Sequence, residues 1–315
     1  MEKKELNAFV PYVGFTGKRL DKILSKIFIQ YSRTCLKKWI IMNNVYVDGK
    51  IENQPDKKIL GGAKITVCSP IEKSPINLPE NILLNIIHED NDILVINKPS
   101  GLVVHPGAGN EDGTILNALL HRYKNINHIP RCGIVHRLDK NTSGLMLIAK
   151  TISSYNQLVT LLKKRKIIRK YQGVVKGNMI SGGVVNCPIM RHPSKRVCMI
   201  AHSLGKKSIT HYRIINRFKL HTYVSFRLET GRTHQIRVHM LHIGYPLLGD
   251  PLYGGINYGF NNYKENEKIH QKFNFFRQAL HANYIEFVHP VTKQSMSWKA
   301  PLPQDMQDLL LYLDK

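Results

Sequence analysis

The sequence predicts an α+β fold: a small N-terminal α-α-β domain, then a larger domain with a largely antiparallel mixed sheet flanked by helices and loops. Strand patterns outnumber helix patterns along the 315 residues, and turns rather than alternating helices connect the strands. Hydrophobic residues make up 43% of the chain, enough for a sizeable core. Prolines among small polar residues after position 69 indicate a linker. We therefore expect domains at 17–70 and 84–315, joined by a proline-containing linker at 71–83.

In the N-terminal domain, apolar residues recur at helical spacing before the first strand signals. Ser32 is a suitable N-cap for the second helix, and Asp48-Gly49 and Gly61-Gly62 are tight-turn signals. The expected elements are an extended lead-in at 1–16, helices at about 18–29 and 33–43, and strands at 45–50 and 64–67.

In the larger domain, β-branched and alternating runs predict strands, and amphipathic runs predict helices. The expected strands are 84–88, 93–97, 145–149, 168–175, 184–189, 210–218, 222–229, 284–289 and 295–299. We also expect a strand broken by two prolines at 98–106, helices at 114–123, 152–167, 232–242 and 303–313, and a surface loop at 256–277.

The charge of the chain points to a polyanionic partner. Lys and Arg number 46 against 22 acidic residues, a net charge of +24. Such a surplus favours nucleic acid through counterion release, although a lysine-rich proteome would also produce a basic surface. The start lacks a signal peptide, and no apolar run reaches the roughly 20 residues of a membrane span, so we expect a soluble, cytoplasmic protein with no membrane partner. Five widely spaced cysteines indicate neither disulfides nor zinc.

One stretch, residues 134–149, concentrates charged side chains directly before an apolar run. A charged loop fixed to a buried strand suits a rigid site in a cleft, and its carboxylate is Asp139. The alternative is a surface turn in which Asp139 pairs with Arg137 or Lys140.

Other chemistries find little support in the sequence. His234, His239 and His242 lack the spacing and the neighbouring acid of a metal site, and no phosphate-binding loop occurs. No Ser or Cys lies in a nucleophile motif, and no second acid accompanies Asp139 as a glycosidase would need. A single carboxylate among cations is compatible with a nucleophile or base that acts on an RNA base or ribose.

The N-terminal domain resembles the small RNA-binding motif of the ribosomal protein S-four type. The residues that carry this likeness are Arg19-Leu20-Asp21, Ser32-Arg33 and Val45-Tyr46-Val47-Asp48-Gly49. The resemblance implies phosphate contacts by a set of cations, namely Lys18, Arg33, Lys37 and Lys38. A solvated charged helix face would give the same pattern.

The larger domain resembles the pseudouridine synthases that modify large-subunit ribosomal RNA and, in some members, tRNA. The central motif is the run from His136 to Gly144. The other matching motifs are Asn97-Lys98-Pro99 with Gly101 and His105-Pro106, Lys170-Tyr171, the run from Gly231 to His239, and Gly249-Asp250 with Tyr253-Gly254. Together with the N-terminal motif, the likeness covers nearly the whole chain in order.

The resemblance implies specific roles for the site residues. Asp139 would be the nucleophile, attacking C1′ of the ribose or C6 of the uracil, and Arg237 would pair with it. Tyr171 would stack on the base and assist removal of the C5 proton, although a core aromatic is the alternative for a strand tyrosine. Ile236 would pack beside the base, and Arg137 would fill the gap left by the flipped uridine.

Two further residues of these motifs, His136 and Arg232, are expected to bind substrate. The resemblance implies no cofactor, because the glycosidic bond is broken and remade to the same base. We expect a monomer that acts on large-subunit ribosomal RNA, free or in pre-ribosomal particles. The open alternatives are an RNA-binding assembly factor in which catalysis is dispensable, a synthase acting on tRNA, and hydrolytic release of uracil.

Overall fold

The computed structural model describes residues 3–28, 31, 33–70, 78–107, 109–254 and 275–315. The chain divides into two compact units, Met1–Ile76 and Asn77–Lys315. Each unit encloses its own hydrophobic cluster, as the α+β pattern of the sequence predicts. None of the helices in the described residues is long and apolar enough to cross a membrane.

The N-terminal unit packs two short helices against a four-stranded sheet with the order β1-β6-β3-β4. The strands are β1 (Lys3–Phe9), β2 (Lys18–Arg19), β3 (Val45–Val47), β4 (Lys50–Ile51), β5 (Lys58–Ile59) and β6 (Lys64–Pro70), and the helices are α1 (Leu20–Ile27) and α2 (Arg33–Ile41). Leu20, Ile23 and Leu24 of α1 and Leu36 and Ile40 of α2 are fully buried. The apolar residues that recur at helical spacing in the sequence thus form the core of this unit.

Two expectations for this unit need correction. The extended lead-in at 1–16 contains β1, which pairs antiparallel with β6 from Lys3 to Phe9. The first helix begins at Leu20 rather than residue 18, because Lys18 and Arg19 are extended and pair with β5. The expected N-cap, Ser32, and the linker segment 71–77 lie outside the described residues.

The C-terminal unit is built on a nine-stranded mixed sheet with the path β11-β14-β15-β10-β16-β9-β8-β7, to which β17 adds by pairing with β16. Its strands are β7 (Ile86–Glu89), β8 (Ile93–Lys98), β9 (Ser143–Ala149), β10 (Ile168–Lys176), β11 (Gly183–Asn186), β12 (Ile189–Arg191), β13 (Met199–Ala201), β14 (Ile209–Arg217), β15 (His221–Leu228), β16 (Leu280–Val288) and β17 (Ser295–Lys299). Its helices are α3 (Ile115–Arg122), α4 (Ile152–Lys163), α5 (Gln235–His242) and α6 (Gln304–Leu313).

The pairings in this sheet are antiparallel except for one. Strands β9 and β16 run parallel, with His281 opposite Ser143 and Ala282 opposite Gly144. Every residue of β9 is buried, as expected of a strand covered on both faces. A short parallel junction therefore joins the two antiparallel parts of the sheet directly after the Asp139 loop.

Several element boundaries in the C-terminal unit differ from the sequence prediction. Of the expected strand at 98–106, only Lys98, which ends β8, and an isolated bridge at Val103 have strand pairing, because Pro99 and Pro106 lack an N–H for a ladder. Helix α4 ends at Lys163, shortly before Arg165 takes a positive φ of 58°. The expected strand 184–189 ends at Asn186, before Pro188.

The helix in the motif from Gly231 to His239 also begins later than expected. The run from 232 to 242 becomes helical only at Gln235, because His234 adopts a left-handed conformation. The expected surface loop at 256–277 falls largely on residues 255–274, which lie outside the described residues.

Candidate active site

The loop that carries Asp139 is held from several sides before β9 begins. The carbonyl of Lys140 accepts hydrogen bonds from the Lys98 ammonium at 2.8 Å and from the Gly101 N–H at 3.0 Å. Thr142 donates its N–H to the carbonyl of Asp139 and accepts a hydrogen bond from Gln278. These contacts fix the backbone on both sides of the carboxylate, which is the arrangement that a rigid site needs.

Arg237 joins Asp139 to a second carboxylate. Its Nη1 donates to Asp139 Oδ2 at 2.9 Å, while Nε and Nη2 donate to the two oxygens of Asp250 at 2.6 and 2.8 Å. Asp250 itself is held by the N–H groups of Leu252 and Tyr253. Burial would lower the pKa of Arg237, but the hydrogen bonds and charges of the two aspartates raise it above its usual value.

This arrangement decides between the two interpretations of Asp139. Its side chain is only 19% exposed, and its partner is Arg237, which is 98 residues away in sequence. Lys140 points its ammonium to Asn110 instead. The alternative of a surface turn paired to Arg137 or Lys140 is therefore not what the described structure contains.

His234 lies on the other side of the carboxylate. Its Nε2 is 3.9 Å from Asp139 Oδ1, and its Nδ1 hydrogen-bonds to the Tyr253 hydroxyl at 2.8 Å. Burial lowers the pKa of His234, so the imidazole is neutral at neutral pH. Arg237 is consequently the principal positive charge in contact with Asp139.

A cavity of about 570 Å³ opens over Asp139. Tyr171 on β10 and Ile236 on α5 line it, and their side chains are 6% and 4% exposed. Burial raises the pKa of the Tyr171 hydroxyl, so the phenol stays protonated. An aromatic ring and an aliphatic side chain beside a carboxylate form a slot suited to a planar base.

The structure brings the remaining motif residues to the same cavity in different environments. Arg137 and Arg232 line it and are exposed, and Arg232 Nε donates to the carbonyl of Lys207. His136 is more enclosed: its Nε2 accepts a hydrogen bond from the N–H of Leu147 in β9. Burial lowers the pKa of His136 to about 3, which keeps the ring neutral.

Lys98 holds the backbone of the loop that carries Asp139. The residue is only 1% exposed, and its ammonium donates hydrogen bonds to the carbonyls of Pro99, Leu102 and Lys140. Burial lowers the pKa of Lys98 to about 7, against the opposing effect of the Asp139 charge. The lysine of the Asn97-Lys98-Pro99 motif thus fastens the loop that carries Asp139.

The N-terminal cations lie in the other unit. Lys18, Lys37 and Lys38 are exposed. Arg33 is half-exposed, and its guanidinium donates to the buried Asp21 carboxylate at 2.6 Å. Arg33 therefore has a structural partner within its own unit, while its contact with RNA remains a prediction.

Two of the three histidines considered for metal binding, His234 and His239, are engaged in hydrogen bonds. His239 bonds to Thr210 and to the carbonyl of Cys187. Among the described residues, a separate group of Asp90, Asp92 and His289 brings three potential ligand atoms together. However, Nδ1 of His289 accepts N–H groups from Val291 and Thr292, so the neutral ring carries its proton on Nε2, where a metal would need a lone pair.

Sequence reasoning missed three contributors to the site: Asp250 as the second partner of Arg237, His234 beside Asp139, and Arg169 in the cavity wall. Gly249-Asp250 was recognised only as a turn. Strand alternation does place Arg169 on the same face as Tyr171, which was a usable signal.

Comparisons with known proteins agree with this geometry. The RNA pseudouridylate synthase family matches residues 92–242, and the S4 domain matches residues 18–65. The chain is 78% identical over 315 residues to ribosomal large subunit pseudouridine synthase D of Buchnera aphidicola subsp. Schizaphis graminum, covering 100% of both chains. It is 51% identical over 294 residues to the protein of that name from Escherichia coli O6:H1, covering 93% of this chain and 90% of that one.

A solved structure shares the fold of the larger unit. Human RNA Pseudouridylate Synthase Domain Containing 4 aligns with a TM-score of 0.57 and 26% identity, over 73% of this chain and 92% of that one. The motifs around Asp139, the Asp139–Arg237 pair and the full-length relatives lead to the same conclusion. The chain belongs to the RNA pseudouridylate synthase family and carries an S4 domain at its N-terminus.

Proposed function

We propose that this enzyme converts uridines of large-subunit ribosomal RNA to pseudouridine, with Asp139 as the nucleophile. The observation that carries the proposal is the semi-buried Asp139 carboxylate, fixed by Arg237 in the wall of a cavity of about 570 Å³, which is large enough for a flipped-out nucleotide. The full-length relatives are named for this activity on the ribosomal large subunit.

The reaction replaces the N1–C1′ glycosidic bond with a C5–C1′ bond, and the C5 proton is lost while N1 gains one. Asp139 would attack C1′ of the ribose or C6 of the uracil, and Arg237 would keep the carboxylate charged and oriented. Tyr171 and Ile236 would hold the base, and the protonated phenol of Tyr171 would lie near the carbon that loses its proton. The same base leaves the ribose and rejoins it through C5, so the reaction needs no other reactant and releases no leaving group.

RNA binding would involve both units. The exposed Arg137 and Arg232 beside the cavity would contact the RNA, with Arg137 filling the gap left by the flipped uridine. In the S4 domain, Lys18, Arg33, Lys37 and Lys38 would bind phosphates. We assign an RNA-binding domain to 17–70, to whose sheet β1 adds a strand, and a synthase domain to 84–315. We expect a cytoplasmic monomer acting on ribosomal RNA, free or in pre-ribosomal particles.

Tritium release tests the proposal directly. Unmodified large-subunit ribosomal RNA labelled with tritium at C5 of its uridines should lose tritium to water when incubated with the enzyme. Asp139→Asn should abolish this release, because an amide is a far weaker nucleophile than a carboxylate. Asp112→Asn, which removes an exposed carboxylate of the same unit, should retain it. Full activity of Asp139→Asn would refute the role of Asp139.

The same reactions separate the alternatives. Tritium release from bulk tRNA but not from ribosomal RNA would reassign the substrate, and free uracil among the products would indicate hydrolysis. Normal ribosome assembly in cells that carry only Asp139→Asn, with defective assembly when the protein is absent, would show an assembly role separable from catalysis.

A further inference from the structure

Arg169 is a buried cation in the wall of the Asp139 cavity to which the reaction proposed above assigns no role. It lies on β10, two residues before Tyr171, and therefore on the same face of the strand. Its side chain lines the Asp139 cavity, and the residue is only 9% exposed. Within the described part of the chain, its guanidinium makes no hydrogen bond or ion pair, and Nε is fully enclosed without a partner.

An unpaired buried arginine is costly for the folded protein. The guanidinium stays charged at any relevant pH, so it cannot escape the cost of burial by losing a proton. The other buried arginines of this unit are paired: Arg237 with Asp139 and Asp250, and Arg277 with Asp305. Arg169 differs from them because its acceptor is missing, and a ligand in the cavity would supply it.

The neighbourhood of Arg169 also lacks an acceptor for a second donor. Because His136 Nε2 accepts the Leu147 N–H, the proton of the neutral ring is on Nδ1, which is buried without a partner. The charge of Arg169 contributes to lowering the pKa of His136, so the two groups are close. His136 Nδ1 and Arg169 Nε are both fully enclosed, so the Nη groups of Arg169 are the donors that a ligand in the cavity could reach, and they predict a ligand edge that carries an acceptor oxygen.

The position of Arg169 favours a base rather than a phosphate. Its Nη1 packs against Gly231, where an added Cβ would lie 2.9 Å from it. The exposed Arg137, Arg165 and Arg232 line the same cavity and are better placed for the RNA backbone. A flipped-out uracil brings two carbonyl oxygens into a deep cavity, whereas its phosphates stay at the opening.

We propose that Arg169 donates a hydrogen bond to a carbonyl oxygen of the flipped-out uracil and thereby holds the base beside Tyr171. This proposal rests on the proposed function, since it concerns the same cavity and the same substrate. It assigns Arg169 as a substrate-binding residue that selects for a base with an acceptor oxygen at that edge.

The experiment compares Arg169→Met and Arg169→Lys with the wild-type enzyme and with Lys170→Met. Lys170→Met is a matched control, because it removes one positive charge from the adjacent, exposed position of the same strand. For each protein we would measure single-turnover tritium release from C5-labelled ribosomal RNA, RNA affinity over a series of salt concentrations, and the thermal unfolding midpoint.

For Arg169→Met we expect a loss of about 10- to 100-fold in the single-turnover rate constant, typical of a lost charge-assisted hydrogen bond. Arg169→Lys should recover part of it, and Lys170→Met should match the wild type in rate. The unfolding midpoint of Arg169→Met should equal or exceed that of the wild type, because an unpaired buried charge has been removed. The slope of log affinity against log salt should stay unchanged in Arg169→Met, since no phosphate contact is lost.

Three results would overturn the proposal. Wild-type rates in Arg169→Met would show that no contact exists. A clear fall in the unfolding midpoint, with Arg169→Lys equally inactive, would show a structural role instead. A salt slope reduced by about one in Arg169→Met would show a phosphate contact. Absence of tritium release by the wild-type enzyme would instead refute the proposed function itself, which keeps the two failures distinct.

Discussion

Arg237 bridges two carboxylates that differ sharply in exposure. Asp250 is completely buried at its side chain and receives two guanidinium hydrogen bonds, whereas Asp139 is partly open to the cavity and receives one. The planar fork of an arginine can serve both acids at once, which a lysine ammonium cannot do with the same geometry. Asp250 therefore anchors Arg237, and Arg237 in turn orients Asp139.

Substitution of Arg237 should affect both stability and activity. Arg237→Met leaves the Asp250 carboxylate buried without its charge partner, so we expect the free energy of unfolding to fall by about 3–5 kcal/mol. Arg237→Lys keeps the charge and should lose less stability, but it should still lower tritium release. Denaturant unfolding and the tritium assay measure the two effects.

The matched control for this prediction is Arg122→Met. Arg122 is exposed and pairs with Glu89, which keeps Lys150 as a second cationic partner, so loss of the Arg122 pair should change stability by only about 0–1 kcal/mol. If Arg237→Met and Arg122→Met unfolded at the same denaturant concentration, the anchoring role of Asp250 would be refuted.

The sequence predicted that Arg237 pairs with Asp139, but it did not predict the contact with Asp250 that holds Arg237 in place. The motifs placed Arg237 with Asp139, although no local pattern links two residues 98 positions apart. The bond from Arg237 to Asp250 was not foreseen, because a Gly-Asp turn looks the same with or without a buried partner. The unpaired state of Arg169 was also invisible, since strand alternation gives a face but not the neighbours that occupy it.

Strand β9 transmits the rigidity of the sheet to the Asp139 loop. Gly144, its second residue, lies opposite Ala282 of β16 and has a φ of +115°. A Cβ at this position would lie 2.3 Å from the Ala282 carbonyl oxygen and 2.5 Å from its nitrogen. The close approach of the two parallel strands thus requires glycine at the end of the His136–Gly144 motif.

Gly144→Ala should therefore be strongly destabilising. Steric overlap with the β16 backbone and the left-handed strain together should lower the free energy of unfolding by about 3 kcal/mol or more. Relief of the overlap would move β9 and displace Asp139, so tritium release should fall as well. Urea unfolding at neutral pH provides the stability measurement.

Gly244→Ala is the control, because its φ of +85° imposes similar backbone strain while the added Cβ meets open space. That variant should lose only about 1–2 kcal/mol from the strain. Equal destabilisation by the two substitutions would show that backbone strain alone, rather than contact with β16, requires Gly144.

The starts of helices were predicted best where the capping residue and the apolar repeat lie next to each other in the sequence. Thr114 and Thr151 form capping boxes at the starts of α3 and α4, and both helices begin at the expected place. The late start of α5 depends on the left-handed His234, whose side chain bonds to Tyr253 and lies beside Asp139. Tertiary contacts formed by distant residues set that boundary, so local periodicity could not reveal it.

The two units of the whole molecule differ in their histidine content. All 15 histidines lie between positions 88 and 289, outside the N-terminal unit. Burial lowers the pKa of His136 to about 3 and that of His221 and His281 to about 4. In the unfolded chain these residues would titrate near pH 6.5. Their neutral burial therefore couples the stability of the C-terminal unit to pH.

The sign of this coupling follows from the lowered pKa values. Between about pH 4 and pH 6.5 the unfolded chain binds protons that the folded chain does not, so stability is retained above pH 6.5 and lost as the pH falls. Each such histidine should lower the free energy of unfolding by about 1 kcal/mol between pH 6.5 and pH 5.5. In the N-terminal unit, burial acts to raise the pKa of the Asp21 and Glu52 carboxyls, but hydrogen bonds and the charges of their cationic partners lower it overall. The stability that these carboxylates contribute is therefore lost only at lower pH.

The two tryptophans make this difference measurable in the full chain. Trp39 is buried in the N-terminal unit and Trp298 lies on β17 of the C-terminal unit, so Trp298→Phe and Trp39→Phe each leave a fluorescent probe in one unit. On going from pH 7.5 to pH 5.5, the urea midpoint reported by Trp298 should fall markedly, while that reported by Trp39 should change little. His281→Gln, which cannot be protonated, should flatten part of the Trp298 dependence. Equal acid sensitivity at both probes would contradict the assignment of this pH dependence to the buried histidines.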